Sequence, residues 1–129
     1  MSSSGRGLSL DAGALIALER GDAKVRALLR AASSASLPIS VVAPVVAQAW
    51  RGGPRHAPIA RLLALPEVDV PPLDADTARA VGILCGRSGH PDVVDVHLVL
   101  HARLHNRIVV TSDPDDVRKV DPGAAIVEV

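Results

Sequence analysis

Short apolar runs alternate with amphipathic stretches along the chain, and this alternation predicts β-strands that alternate with α-helices. The run at 107–111 is rich in β-branched residues, which is typical of a buried parallel strand. Further strands are predicted at 7–10, 37–42, 68–70 and 125–129. Helices are predicted at 12–20, 23–32, 45–51, 54–64, 75–87, from 92 to about 105, and at 116–120. A chain of this order forms a parallel sheet with helices on both faces, so the predicted fold is a three-layer α/β/α sandwich with a central parallel sheet.

Aspartates stand where several of the predicted helices begin, namely Asp11, Asp22, Asp74 and Asp92. An aspartate in that position accepts hydrogen bonds from the first backbone amides of the helix, which have no partner within the helix. Gly21 then separates the first two helices, because glycine readily ends a helix. These residues support the predicted helix boundaries.

The composition is typical of a single α/β domain that spans residues 1–129. Hydrophobic residues make up 48% of the chain and charged residues 22%, which is enough apolar material for one core and argues against disorder. Cys85 is the only cysteine, so no internal disulfide forms, and a reducing compartment such as the cytoplasm is the expected setting. No apolar run approaches the roughly 20 residues that a transmembrane helix needs, so no membrane partner is expected.

Aromatic residues are nearly absent, at 1% of the chain, and Trp50 is the only one. Single-strand binding domains that stack bases on Phe or Tyr platforms are therefore excluded. Trp50 is expected to anchor core or interface packing rather than to stack on a base.

Net charge is zero, but the charges are segregated along the chain. No Asp or Glu occurs between residues 23 and 66. The basic residues of that stretch are Lys24, Arg26, Arg30, Arg51, Arg55 and Arg61. Arginine outnumbers lysine by 12 to 2 in the whole chain, and arginine binds phosphate in a bidentate manner. GC-rich coding DNA would also explain the excess of arginine, although it explains the segregation of charge less easily.

Acidic residues recur at one predicted edge of the sheet. Asp11 follows the first strand, Asp113 follows the strand at 107–111, and Asp92 and Asp95 lie on one face of the first turn of a helix. Parallel α/β sheets bind their ligands at the carboxyl ends of the strands. Carboxylates gathered there repel one another, and a hard divalent cation such as Mg²⁺ or Mn²⁺ relieves the repulsion. Taken singly, each of these residues is better explained as a helix cap or a turn former. Their coincidence at the ends of strands favours a metal site.

Four segments together resemble PIN-domain ribonucleases, and specifically the VapC toxins of bacterial toxin–antitoxin pairs. Residues 8–17 are similar to the opening strand and first acidic residue, and residues 43–53 to the helix that usually bears the second acid. Residues 92–96 and 110–116 are similar to the third and fourth acidic segments. The resemblance covers nearly the whole chain in the same order and spacing.

The resemblance implies a PIN-type fold and Mg²⁺-dependent endonucleolytic cleavage of RNA, in which a metal-activated water hydrolyses the phosphodiester bond. It also implies a cognate VapB-type antitoxin as partner, and a homodimer. Carried over to this chain, the metal ligands are Asp11, Asp92 and Asp113. Asp95 and Gln48 are expected to assist catalysis, and Ser112 and Asp116 to contact the ligands rather than the metal.

Arg51 and Arg55 directly follow the predicted helix that carries Gln48. One hypothesis is that they bind RNA phosphates, and the alternative is that they are solvated arginines at a helix end.

Gln48 occupies the position where the family usually has glutamate. Its amide oxygen still binds or orients a ligand, but it brings no charge. One hypothesis is that Asp95 supplies the missing carboxylate. The alternative is a weakened PIN-fold module that binds RNA or an antitoxin without cleavage. A phospho-acceptor signalling domain is a third class, which is disfavoured because no lysine stands at a late strand end.

His97, His101 and His105 recur every four residues on one predicted helix face. A pair of histidines with this spacing is able to bind Zn²⁺. They face away from Asp92 on the same helix, and the sequence offers no acidic third ligand beside them. A partly exposed helix face or a subunit contact is therefore the favoured interpretation.

Overall fold

The computed structural model describes residues 6–129. The strands are Leu8–Leu10 (β1), Ile39–Ser40 (β2), Val68–Asp69 (β3), Ile108–Thr111 (β4) and Ile126–Glu128 (β5). The helices are Ala12–Glu19 (α1), Ala23–Ser34 (α2), Ala43–Ala49 (α3), Ala57–Leu63 (α4), Ala75–Ser88 (α5), Val93–His105 (α6) and Pro114–Val120 (α7). A short 3-10 turn, Pro54–His56, precedes α4. The predicted alternation of strands and helices is confirmed.

The strands form one sheet in the order β3-β2-β1-β4-β5, and every pair is parallel. β1 lies at the centre, where Leu8 is in register with Ile39 on one side and Ile108 on the other. The chain runs outward from β1 to β2 and β3, and then returns to add β4 and β5 on the opposite side. The crevice between β1 and β4 is therefore the point at which the strand order reverses, and such a point is where ligands bind in this class of sheet.

Aliphatic side chains fill the core, as the near absence of aromatic residues requires. All three residues of β1 are buried, and Leu10 and Leu15 are almost inaccessible to solvent. Helix α1 packs against α2, α3 and α4, whereas α5, α6 and α7 pack against one another. The predicted three-layer α/β/α sandwich with a central parallel sheet is confirmed.

The predicted caps are also present. The carboxylates of Asp11, Asp22, Asp74 and Asp92 each accept a hydrogen bond from a backbone amide in the first turn of the helix that follows. Such a cap stabilises a helix by about 1 kcal/mol, because the first amides of a helix have no partner within it.

Several predicted helix boundaries differ from the structure, and proline lies in the first turn of three of these helices. Helix α3 spans Ala43–Ala49 rather than 45–51, with Pro44 in its first turn. The segment predicted as one helix at 54–64 is split, because Pro58 has no N–H to donate to the carbonyl of Pro54. Helix α7 begins at Pro114 rather than at residue 116, since proline is favoured in the first turn. Asp113 is its cap, with Oδ1 accepting from the Asp116 N–H at 3.3 Å.

The longest helix between residues 6 and 129 is α5, with 14 residues. Within that part of the chain, no helix is both long enough and apolar enough to cross a bilayer.

Candidate active site

Asp11 joins the two central strands at their carboxyl ends. Its backbone N–H donates to the carbonyl of Val110 in β4 at 3.1 Å. Its Oδ1 accepts from the Ala14 N–H at 2.7 Å, and its Oδ2 accepts from the Ser112 N–H at 3.2 Å. The carboxylate of Asp11 therefore caps α1 and also binds the loop after β4. The carboxyl ends of β1 and β4 thus lie together at one edge of the sheet, as predicted.

Asp92 and Asp95 stand at the start of α6. Asp92 is exposed, and its Oδ1 accepts from the N–H groups of Val94 and Asp95 at 2.9 and 3.2 Å. Asp95 is partly buried, and its side chain is 29% exposed. The two carboxylates thus lie on one turn of helix, as their spacing predicts.

Asp95, Asp116 and His90 come together where α6 meets α7 and the turn before α6. One side-chain ligand atom from each of the three lies within 4.8 Å of the others. Among residues 6–129 this is the only group of three or more His, Cys, Asp or Glu side chains that is so arranged. His90 Nε2 lies 3.0 Å from Asp95 Oδ2. Asp116 also faces Lys119, at 3.4 Å, in a largely exposed pair that contributes little to stability.

The electrostatics of this group favour a cation. Burial raises the pKa of Asp95, the hydrogen bond from His90 opposes that rise, and the negative charges of Asp92 and Asp116 add to it. Carboxylates that raise each other's pKa gain stability when a positive charge lies between them. Oxygen ligands of this kind suit a hard divalent ion, and the partial exposure of Asp95 and Asp116 leaves room for water ligands. The residues present fit a divalent metal.

The predicted ligands Asp11, Asp92 and Asp113 are not members of that group. Each uses at least one carboxylate oxygen to bind backbone amides at a helix start. Asp113 is exposed, and its own N–H donates to Thr111 Oγ1 at 2.8 Å. A carboxylate that accepts such a hydrogen bond still has lone pairs with which to bind a metal ion. The role of these three residues as metal ligands stays a prediction.

Gln48 lies on the exposed face of α3, beside a separate groove of about 560 Å³. The lining of this groove includes Glu19, Arg51, Arg55 and the buried His56. His56 Nε2 accepts from the Arg51 N–H at 2.9 Å, and its Nδ1 lies 3.9 Å from Glu19 Oε2. A carboxylate on α1 therefore stands near Gln48.

The groove beside Gln48 adjoins a second one along α1. The second groove, of about 530 Å³, is lined by residues that include Gly13, Arg20 and Ser112, and Ile16 lines both. Ser112 is the residue that binds Asp11. The surface beside Arg51 and Arg55 thus continues over Ile16 toward the carboxyl ends of β1 and β4.

The PIN domain family matches residues 8–122 of the sequence. The chain belongs to the PIN-domain family. FitAB bound to the IR36 DNA fragment is similar to this PIN domain, with a TM-score of 0.62 and 17% identity over 95% of this chain and 94% of that chain. FitAcB from Neisseria gonorrhoeae is similar with a TM-score of 0.60 and 18% identity over 95% of this chain and 96% of that one. At these identities the likeness shows a shared fold, and a comparison with curated proteins found no match.

Sequence reasoning missed two residues of this PIN domain that lie beside predicted ones. His90 contacts Asp95, and Glu19 lies in the groove of Gln48. His90 stands five residues before Asp95, in a turn whose direction the sequence does not define. The position of Glu19 on α1, two helical turns after Asp11 and on the side that faces α3, is the feature that points to its place in this groove.

Of the two packing roles expected of Trp50, the core role is wrong, because Trp50 is 42% exposed and its ring lies against His56 with centroids 5.4 Å apart. Its role in an interface stays a prediction.

The histidines of α6 have acidic neighbours, although within residues 6–129 none of these completes a group of three close ligand atoms with them. Asp69 and Asp74 line the same groove as His97 and His101, because β3 and the start of α5 lie beside α6. Such contacts between elements that are distant in sequence cannot be predicted from the spacing of residues along a single helix.

Proposed function

We propose that this PIN domain is a metal-dependent endoribonuclease, and the toxin of a VapBC-type toxin–antitoxin pair. The observation that carries the proposal is the grouping of Asp95, Asp116 and His90 within 4.8 Å at the edge of the sheet where Asp11 joins β1 to β4. Membership of the PIN-domain family supports a nuclease. The identification as a toxin follows the resemblance to VapC proteins.

The proposed metal is Mg²⁺ or Mn²⁺. Asp95 and Asp116 hold it, and Asp11, Asp92 and Asp113 remain the predicted further ligands. When bound, the ion supplies Lewis-acid stabilisation of the charge that develops on the phosphodiester and lowers the pKa of a coordinated water. Asp11 also positions Asp113, because its hydrogen bond with the Ser112 N–H fixes the loop that carries Asp113.

RNA binding is assigned to the surface that runs from Arg55 and Arg51 over Ile16 to Ser112. Both arginines are exposed and line the groove beside Gln48. Arg51 Nη1 already donates to the carbonyls of Ala47 and Trp50, at 3.2 and 2.8 Å, which fixes its guanidinium at the rim. Phosphate contacts of this kind position a nucleic acid strand and do not read its sequence.

Gln48 supports a second candidate function, a binding module that holds RNA or an antitoxin without cleavage. Gln48 brings no charge, and it lines the groove that Glu19 also lines. Against this alternative, Asp95 belongs to the acidic group, which supports the hypothesis that it replaces the carboxylate that Gln48 lacks.

The proposed protein partner is a VapB-type antitoxin, and the proposed assembly is a homodimer in the cytoplasm. Expression of the chain alone is expected to arrest bacterial growth. Co-expression with a cognate VapB-type antitoxin should relieve the arrest. Light scattering of the purified chain measures the oligomeric state.

Incubation of the purified chain with structured RNA tests the enzymatic proposal. Cleavage is expected with Mg²⁺ or Mn²⁺, and none with EDTA. Asp95→Asn should abolish cleavage, because it removes one of the charges that hold the metal. Asp74→Asn is the matched control, since Asp74 caps α5 and lies neither in the acidic group nor in the two grooves of the RNA-binding surface. Tight RNA binding without cleavage under all conditions would support the binding module instead.

A further inference from the structure

His90 gives the acidic group of this PIN domain an imidazole that the predicted all-oxygen ligand set does not contain. It follows Gly89, which ends α5 in the left-handed conformation at φ +74°. The His90 N–H donates to Ser88 Oγ at 3.2 Å. A single short turn between α5 and α6 therefore fixes the backbone of His90.

The ring of His90 is buried and directed at the acidic group. The residue is 8% exposed, and Nε2 lies 3.0 Å from Asp95 Oδ2. Its ligand atom lies within 4.8 Å of those of both Asp95 and Asp116. Such an arrangement has two uses: the ring orients Asp95 by a hydrogen bond, or it binds the same ion as the two carboxylates. The position of Asp116 favours the second use, because a hydrogen bond to Asp95 alone does not require a third ligand atom within 4.8 Å of both.

We propose that His90 is itself a ligand of the metal centre, and that the centre therefore binds a divalent transition metal ion in preference to Mg²⁺. The inference rests on the proposed function, since it concerns the same ion. Imidazole nitrogen is a common ligand of transition metals, whereas Mg²⁺ strongly prefers oxygen. Binding through Nε2 requires a neutral ring with its proton on Nδ1, so Nε2 exchanges its hydrogen bond with Asp95 for a bond to the ion.

Mn²⁺ is the probe that tests this ligand directly. Pulsed electron paramagnetic resonance of the Mn²⁺-loaded chain detects hyperfine coupling to a nitrogen nucleus that is bound to the ion. Coupling is expected in the wild type and should change when the chain is labelled with isotopic histidine. His90→Gln should remove the coupling and weaken Mn²⁺ binding about tenfold, with a much smaller effect on Mg²⁺ binding.

His105→Gln is the matched control, because His105 is exposed near the other end of α6 and stacks on His101. It should leave both the coupling and the affinity unchanged. The labelled wild type keeps the test valid even if His90→Gln fails to fold. Mn²⁺ binding without nitrogen coupling would overturn the role of His90 and leave the proposed nuclease intact. Coupling that survives in folded His90→Gln would also overturn it. Absence of any Mn²⁺ binding would remove the proposed metal centre together with this inference.

Discussion

The carboxylate of Asp11 accepts a hydrogen bond from the backbone N–H of Ser112 at 3.2 Å, and this bond ties together the carboxyl ends of β1 and β4. The two residues are 101 positions apart in the chain. The bond brings the loop that carries Asp113 to the edge of the sheet at which α6 begins with Asp92.

Gly13 is the residue that permits this close approach. A Cβ atom at position 13 would lie 2.8 Å from Ser112 Cβ and would clash with Ser112 Oγ. Gly13→Ala should therefore displace the loop after β4 and lower the free energy of unfolding by about 1 to 3 kcal/mol. Urea denaturation measures the change.

Gly82→Ala is the control for Gly13→Ala, because Gly82 lies in α5 with no atom within 4 Å of an added Cβ. It should stabilise the chain by about 0.5 to 1 kcal/mol. The double variant Gly13→Ala/Ser112→Gly should recover stability. Equal stability of Gly13→Ala and the wild type would show that the loop does not need this contact.

Much of the fold was predictable because its signals are local. Aspartate caps, helix-ending glycines and β-branched runs each depend on a few neighbouring residues, and Asp11, Asp22, Asp74 and Asp92 all cap helices as predicted. The edge that carries the acidic residues was also predictable, because a parallel sheet places the ends of all its strands on one side.

The composition of the acidic group was not predictable to the same degree. His90 belongs to the acidic group because of the conformation of the turn between α5 and α6. Asp116 belongs to it because α7 packs on α6. Asp69 reaches the histidines of α6 through the position of β3 at the sheet edge. Each of these contacts depends on how elements pack, and hydrophobic periodicity does not encode the rotation or the separation of packed elements.

Substitutions at Asp11 should separate its charge from its capping role. Asp11→Asn keeps an oxygen for the Ala14 N–H but loses the acceptor for the Ser112 N–H, so cleavage should be lost and the free energy of unfolding should fall by about 1 kcal/mol. Asp11→Ala should lose the cap as well, and the free energy of unfolding should fall by about 2 kcal/mol in all. Asp74→Ala removes an equivalent cap from α5 and should lower the free energy of unfolding without loss of cleavage. Full cleavage by a folded Asp11→Asn protein would remove Asp11 from the catalytic group.

Arg55 provides a test of the RNA-binding surface. It is exposed at the rim of the groove beside Gln48. Arg55→Ala should weaken RNA binding for all sequences and lower the slope of log K against log salt by about one. Arg79→Ala, on α5 and paired with Asp76, should leave the slope unchanged. Filter binding over a salt series measures both, and an unchanged slope for Arg55→Ala would place the RNA elsewhere.

The histidine-rich face of α6 should make stability fall in acid. Burial, together with the charges of His105, Arg107 and His97, lowers the pKa of His101 from 6.5 to about 4, and Asp69 opposes that change. Between pH 6.5 and pH 4 the unfolded chain therefore binds a proton at His101 that the folded chain does not. The free energy of unfolding must fall as the pH falls through that range.

His101→Gln should make this fall less steep, as measured by thermal unfolding at a series of pH values. A residual slope should persist, because burial also lowers the pKa of His97, which Asp74 faces. Ile83→Gln, an exposed change on α5 that adds no titratable group, is the control and should leave the slope unchanged. An identical pH profile for His101→Gln and the wild type would contradict the burial of a neutral imidazole.

Crystals of this PIN domain grown with saturating Mn²⁺ test most directly whether the acidic edge holds a divalent ion. Anomalous diffraction locates manganese without reference to activity. The account predicts a peak within coordination distance of Asp95 and Asp116, at the edge where Asp11 binds Ser112. A map with no peak there, or with manganese only in the groove of His101 and His105, would contradict it.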